Sequence, residues 1–416
     1  MRRLAPLVLL EMAVLLSALG NGVAFVVFPW LVLQRTGSAA AAGVVAAATA
    51  VPAIVTSLFA GTVIDVVGVR WTSIVSDFVS LVAVAAVPLL DQSVGLSLWA
   101  LVALAALGAL IDPAGVTARE VALPRLASDA HVSLDRANAV HEAVWGLALL
   151  IGPGVGGILL AAIGPIQALW VTAAGFAVSI LCLAVLRVQG LGRPHASQRP
   201  ERVWRGTVAG IRFVLSQRLL RRVAAWSTLF LGLYMPVEAV LLPVFFSARD
   251  EPELLGIALA AIAAGGVAGS LLYAAVGKHL SRDLVLAVAL IAAGVGLCAM
   301  ATLPPFPLLV VASIAVGVMY APVQPLVNIA MQSLTPLALQ GRVFGVIGSA
   351  ALAAGPLGYL VTGPLVELIG LRPTFLLLAG VFLLCAIVLS VSGSLRGFDA
   401  LPTPPAHQPA PLPPKR

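Results

Sequence analysis

The stretch GTVIDVVGVRWTSI, Gly61 to Ile74, lies between two long apolar runs. It carries one carboxylate (Asp65), two glycines (Gly61, Gly68) and one cation (Arg70) in a region otherwise almost free of charge. Two readings fit the spacing. In a solvated loop, charges and glycines are cheap. In a joint between two membrane helices, glycine permits close packing. The carboxylate and cation there bind nearby helix ends or each other, and let go again. The rest of the chain decides between them.

Composition sets the class. The chain has 416 residues, of which 61% are hydrophobic and 10% charged, with a mean hydropathy of +1.08. A soluble domain is roughly half apolar and about a quarter charged. Such a chain cannot cover its surface with polar groups, so its solvent is the bilayer. The three cysteines (Cys182, Cys298, Cys385) each sit inside an apolar run, without a CxxC pair or a His/Cys cluster. They read as small buried residues, not as a disulfide framework or a metal site. The N-terminus imitates a signal peptide, but Glu11 interrupts its apolar core and the run continues through Phe28 and Trp30. It reads as a retained first span.

A spanning helix needs about 20 mostly apolar residues. Twelve candidates follow in order: 7–33, 41–63, 72–90, 97–121, 137–162, 166–187, 223–247, 254–277, 283–303, 306–331, 343–365 and 371–394. With these spans, 21 of the 24 Lys and Arg residues fall on the side of the termini. Only Arg35, Arg249 and Arg372 fall on the other. The positive-inside rule places both termini in the cytoplasm and the chain in the plasma (inner) membrane. The same asymmetry accounts for the net charge of +7 without nucleic acid.

Four segments result: a six-span bundle at 1–190, a linker at 191–222, a second six-span bundle at 223–395 and a Pro-rich tail at 396–416, expected to be disordered. In the linker, Trp204, Val208, Ile211 and Leu215 share one helical face, with arginines mostly elsewhere. That pattern predicts an amphipathic helix on the cytoplasmic membrane surface. The two halves look duplicated. Gly108 and Pro113 recur as Gly317 and Pro322 at an offset of 209, and GPGVGG at 152–157 is echoed by GPLG at 355–358 at an offset of 203. Duplicated six-helix halves are a transporter plan, with the substrate site between them near the midplane.

With these features the chain resembles the major facilitator superfamily over nearly all its length, up to about residue 395. Gly61, Asp65, Gly68 and Arg70 match the motif between spans 2 and 3, G-x-x-x-D-x-x-G-x-R/K. Val69 departs from it, standing where a second basic residue is common. Gly152, Pro153, Gly156 and Gly157 match the span 5 element of proton-coupled exporters. The segments ERVWRGTVAGIRFVLSQRLLRR and LIDPAGVTA resemble the siderophore- and macrolide-exporter branch. The resemblance implies an all-α fold of twelve helices in two pseudo-symmetric bundles, working by alternating access. On that plan Asp65 and Arg70 bridge the halves in one state, with Asp65 near Val343 at the start of span 11. The span 5 glycines give close packing and, with Pro153, a local break in helix hydrogen bonding.

Ionisable groups inside spans are costly to bury and mark function by default. Asp112, midway along span 4, suits proton carriage; the alternative is a hydrogen bond to backbone freed by Pro113. Glu238 lies deep in span 7. Glu11 is only about a turn inside span 1, where it either meets cytoplasmic water or pairs with an arginine. His141 and Glu142, with Arg119 and Glu120, are expected to form a cytoplasmic charge network. Asn21, Gln324 and Asn328 either face the cavity and bind substrate or satisfy a neighbouring helix. Neither a Walker lysine motif nor HExxH, GxSxG or a paired-carboxylate pattern occurs, so the expectation is a non-enzyme without cofactor, driven by the proton gradient. The partners expected are a small-molecule substrate, protons and lipid, with function as a monomer. Proton-coupled efflux of a small amphipathic drug, metabolite or siderophore leads; nutrient uptake and a non-transporting scaffold or sensor are the alternatives.

Overall fold

The computed structural model describes residues 4–93, 95–186 and 200–401. Among these residues eleven helices are long and apolar enough to cross a membrane. One of them, Leu134–Val185, is two spans joined at Gly164, whose φ of 79° and ψ of 168° are non-helical. Twelve spans result, as expected. We number them in order: Ala5–Thr36, Ala39–Val67, Val69–Ser93, Leu98–Asp129, residues 134–163, residues 165–185, Arg218–Ser247, Pro252–Val276, Arg282–Ala301, Phe306–Leu334, Leu337–Ile369 and Leu371–Val391.

The connections are shorter than the sequence pattern implies. Span 1 stops at Gly37, whose left-handed φ of 64° turns the chain while its N–H donates to the Leu33 carbonyl. Ser38 then caps span 2, accepting from the Ala41 N–H at 3.0 Å. Spans 2 and 3 are separated by Gly68 alone, at φ 89°. The joint read over residues 61–74 is therefore one residue wide, and Gly61 and Asp65 belong to the last turns of span 2. The side chains at positions 61 and 65 lie outside the described residues. Gly164 and Gly370 each join two spans singly, with nearly the same dihedral angles (φ 79°, ψ 168° and φ 89°, ψ 162°). They stand 206 residues apart, inside the range of the sequence offsets, and a side chain in that region of φ/ψ is strained.

Spans 4 and 10 also break alike. Span 4 interrupts at Ile111, just before Asp112 and Pro113. Span 10 interrupts between Tyr320 and Val323, at Pro322. Proline removes a backbone donor and ends the preceding turn. Span 5 stays helical through 152–157; Pro153 has no N–H to donate inside it, and the residue with non-helical φ/ψ is Gly164. Span 7 contains a π-helical turn at Val237–Leu241, directly after Pro236.

The linker helix, Pro200–Ser216, packs against span 11: a side chain on Gly210 would meet the backbone of Arg342 at 3.1 Å. Val214 is buried, while Ile211 and Leu215 stay exposed. Trp204's side chain is outside the described residues. The tail expected from residue 396 is packed onto the protein at its start. Leu395, Phe398 and Leu401 are buried, and Asp283 accepts from the N–H groups of Gly397 and Phe398 at 3.1 and 2.8 Å. Asp399 in return accepts from the Ser281 hydroxyl and the Arg282 N–H, at 2.5 and 2.6 Å. The apolar side chains bring these residues back onto span 9; the remainder of the expected tail, 402–416, lies outside the described residues.

The two bundles touch mainly at the end away from the arginine-rich linker. There span 5 meets span 8 through Gly157 and Gly256. Span 2 meets span 11 through Gly43 and Tyr359, and through Ala39 and Gly363. Glu367 of span 11 accepts from the Ser38 hydroxyl at 2.6 Å and the Ala40 N–H at 3.0 Å. Toward the linker end, Gly146 of span 5 and Gly345 and Gly348 of span 11 have nothing within 4 Å of a would-be side chain. Open space at those positions contrasts with the close glycine contacts at the other end.

Candidate functional site

Beneath that closed end lies a cavity of about 330 Å³. Its wall is apolar, with Phe25, Phe28, Phe176 and Met235 among the lining. The first bundle supplies most of it; Met235, Ala239 and Tyr359 come from spans 7 and 11. Asp112 and Asn21 pair in the wall, the Asn21 amide donating to the Asp112 carboxyl at 3.0 Å, and Thr49, Ser80 and Tyr359 add hydroxyls to the lining. The break in span 4 places Asp112 at the start of its second half. Its side-chain partner is thus span 1, not the backbone freed at Pro113. An apolar cavity with few convergent polar groups is the usual form of a small-molecule site.

The other intramembrane acids divide by partner. Asp77 of span 3 is fully buried and salt-bridged to Arg119, which is 2% exposed. Ser17 and Ser179 donate to the same carboxylate at 2.9 and 2.5 Å. Arg119 therefore leaves the charge network expected at the cytoplasmic edge: its guanidinium turns into the bundle, toward the carboxylate that compensates its burial. Gly115, one turn before it, makes the room, since a side chain there would strike Ser76 at 2.3 Å. Glu11 is buried too, and its partner is His141 at 3.2 Å. Among the described residues its ion-pair partner is thus a histidine and not an arginine. Glu120 and Glu142 remain near enough to His141 to act on it electrostatically, so a reduced network survives there without Arg119.

Glu238 sits in the π-helical turn of span 7 and accepts from the Tyr234 hydroxyl at 2.7 Å. Gln324 and Asn328 bond each other across one turn of span 10 at 3.1 Å and are absent from the cavity lining. Of the three amides read from sequence, only Asn21 reaches the cavity.

Arg70 donates to the Leu183 and Ala184 carbonyls at the end of span 6. A cation suits a helix C-terminus, and the contact stays within the first bundle. In this state Arg70 does not bridge the halves. The span 5 motif packs on two sides. Gly152 lies against Gly22 and Gly156 against Val23, both in span 1, while Gly157 faces Pro252 and Gly256 in span 8. Close approach of helices through small residues is a common way to pack in lipid.

Two bundles of six spans, joined by a linker and closed at one end over an apolar cavity, define the architecture of a secondary membrane transporter. The comparisons with known proteins agree. Residues 5–414 match the transmembrane secretion effector family of the major facilitator superfamily, and the chain belongs to it. The chain is 44% identical over 402 residues, 96% of its length and 98% of the relative's, to "Multidrug efflux pump Tap" of Mycolicibacterium fortuitum. It is 42% identical over 400 residues, 95% of its length and 96% of the relative's, to the pump of the same name of Mycobacterium tuberculosis. In fold it is similar to the crystal structure of the nucleoside transporter NupG, with a TM-score of 0.76 at 13% identity, covering 93% of this chain and 98% of that one. The chain is a multi-pass membrane transporter of small molecules, not an enzyme.

Proposed function

We infer that this chain exports small amphipathic compounds from the cytoplasm in exchange for protons. The observation carrying this reading is the Asp112–Asn21 pair in the wall of a largely apolar cavity. Asp77 and Glu11 are paired with Arg119 and His141; among the described residues Asp112 takes its side-chain hydrogen bond from a neutral amide. A positively charged substrate group brought beside this carboxyl favours its ionised form, so binding of such a group and release of the proton go together. The relatives named as multidrug efflux pumps support export. The arginine-rich end, where Gly146, Gly345 and Gly348 border open space, faces the cytoplasm by the positive-inside rule, in the plasma membrane and with both termini inside. From there substrate enters.

Alternating access then requires the contacts at Gly157–Gly256 and Ser38–Glu367 to open while the linker end closes. Arg70, with Asp65 beside it in sequence, is positioned at that end to join the closing contacts. The proton gradient supplies the energy, and a single chain contains the whole cavity, so the monomer suffices.

The test is transport into inverted membrane vesicles carrying an imposed pH gradient, with a panel of dyes, antibiotics and siderophores. Accumulation that collapses with the gradient and is lost in Asp112→Asn supports the reading. Accumulation that ignores the gradient, or survives in Asp112→Asn, overturns the coupling.

A further inference from the structure

We propose that Arg119 is a positioning residue for the proton of Asp112: one guanidinium serves two carboxyls, held by Asp77 while Asp112 is protonated and drawn along span 4 toward Asp112 when that proton leaves. This rests on the export reading above and deepens it.

The sequence sets the track. Asp112, Gly115 and Arg119 stand at i, i+3 and i+7 in the second half of span 4, so they share one face of it. A long side chain on a helix leans back over the turn N-terminal to it. For Arg119 that is the turn of Gly115, with Asp112 beyond. The structure has this lean: Nη2 of Arg119 lies 3.8 Å from the place the first side-chain carbon would take on Gly115. Glycine keeps that groove free. Span 1 gives the scale. Ser17 donates to Asp77 and Asn21 to Asp112, at 2.9 and 3.0 Å. These two donors are about 6 Å apart by helical rise, a step within the swing of an arginine side chain.

The hydrogen bonds are arranged for a change of partner. Asp77 can release the arginine, because Ser17 and Ser179 stay on its carboxylate, the latter at 2.5 Å. Arg119 has donors in hand. A guanidinium carries five N–H donors, and its Nε is buried without a hydrogen-bond partner among the described residues. Ser76 of span 3 borders the same groove at Gly115, and its buried hydroxyl is likewise unpaired among the described residues. Buried polar groups are nearly always paired, so two unmade bonds beside one groove mark contacts made in another state. Asp112 has room for a second donor, since its side-chain hydrogen bond among the described residues comes from a neutral amide.

The charges give the reason for the move. The charged groups acting on Asp112 are Arg119 and Asp77. Glu11 and His141 are engaged with each other, with Glu120 and Glu142 acting on His141. While Asp112 is protonated, Asp77 and Arg119 balance. Once the proton leaves, two carboxylates face one guanidinium. A buried carboxylate without a partner is strongly unfavourable, and a cation that can approach both relieves it. Arg119 then stabilises ionised Asp112 in place of the lost proton, and returns to Asp77 when a proton comes back.

The experiment is infrared difference spectroscopy of the purified full chain in lipid, stepped between acid and alkaline pH, with and without isotope-labelled arginine. Asp112 is identified by the carboxylic-acid band lost in Asp112→Asn. Arg119 is identified by the guanidinium bands lost in Arg119→Lys, which keeps the charge. Arg35 and Arg125, ion-paired with Asp91 and Asp129, give bands that persist in both variants. Folding of each variant is checked by gel filtration and thermal melting. The expected result is a shift of the Arg119 bands that titrates with the Asp112 band and is absent in Asp112→Asn. If Arg119→Lys does not fold, the guanidinium shift lost in Asp112→Asn decides. Guanidinium bands that stay fixed as Asp112 titrates, or that shift equally in Asp112→Asn, overturn the exchange and make Asp77–Arg119 a static pair. A fixed Arg119, with gradient-driven transport lost in Asp112→Asn, overturns the exchange and leaves the export reading standing. A shift that follows Asp112, with transport still coupled in Asp112→Asn, supports the exchange and overturns the coupling assigned to Asp112.

Discussion

Gly157→Ala should pry open the closed end. The added methyl would lie 2.6 Å from the Pro252 carbonyl oxygen and 2.8 Å from the Gly256 Cα, where ordinary contact begins at 3.4 Å. The nearest atom must retreat by roughly 0.8 Å. All three nearest atoms are backbone, so no side chain can rotate out of the way and the displacement falls on the contact between spans 5 and 8. Overpacking of this kind costs about 1–3 kcal/mol. That contact exists only while this end is shut, so the cost shifts the balance between states by about 5–150-fold. The assay is the labelling rate of a cysteine at Ala42, fully buried at the same end, by a membrane-impermeant maleimide. The background carries serine for Cys182, Cys298 and Cys385. Gly146→Ala, on the same helix with nothing within 4 Å, is the control. An unchanged rate in Gly157→Ala, or an equal rise in both, would refute the reasoning.

Three further outcomes follow from the same contacts. Asp77→Asn leaves Arg119 buried without its partner and should destabilise the first bundle by about 3–5 kcal/mol; adding Arg119→Met should recover a large part of the loss in a thermal melt. Glu367→Ala removes the acceptor for Ser38 and Ala40, an exposed contact worth about 0.5–1 kcal/mol. It should raise Ala42 labelling by a few-fold, and an unchanged rate would count against its role as a latch. Asp399 is held below its ordinary 3.8 chiefly by the Ser281 hydroxyl and also by the Arg282 N–H. A lowered carboxyl contributes stability above its unfolded pKa and loses it as pH falls through the folded one. The melting difference between wild type and Asp399→Asn should therefore be full at pH 7 and fade below about pH 4; a difference constant with pH would contradict the clasp.

Much of this was legible in the chain because the bilayer permits few alternatives. A span has to be a helix of about 20 apolar residues, and the arginines between spans label the sides. Even the duplication, read from Gly108–Pro113 and Gly317–Pro322, returns as matching breaks in spans 4 and 10. Asp112 and Asn21 stood out as polar groups in apolar runs, but their meeting across 91 residues is a product of packing. Asp77 obeys the rule that singles out Asp112. Without coordinates, nothing in sequence links it to Arg119, 42 residues away. Arg119 itself looks like a loop cation because it stands near the polar segment that follows span 4; only the small residue at Gly115 hints that it turns inward. Gln324 and Asn328 share a helix face at a spacing of four, which permits self-pairing as readily as a cavity position. Local sequence cannot decide between those, since the choice depends on which neighbour the face meets. The π-helical turn that presents Glu238 was equally hidden, because Pro236 marks a disturbance but not its kind.

The central claim is that Asp112 exchanges a proton for substrate, and the direct measurement is proton release on binding. Purified protein in weakly buffered detergent, with a pH-indicating dye, is titrated with a compound taken up in the vesicle assay. The account predicts about one proton released per molecule bound by the wild type, and none by Asp112→Asn that still binds. Binding without release in the wild type, or undiminished release from Asp112→Asn, would contradict it.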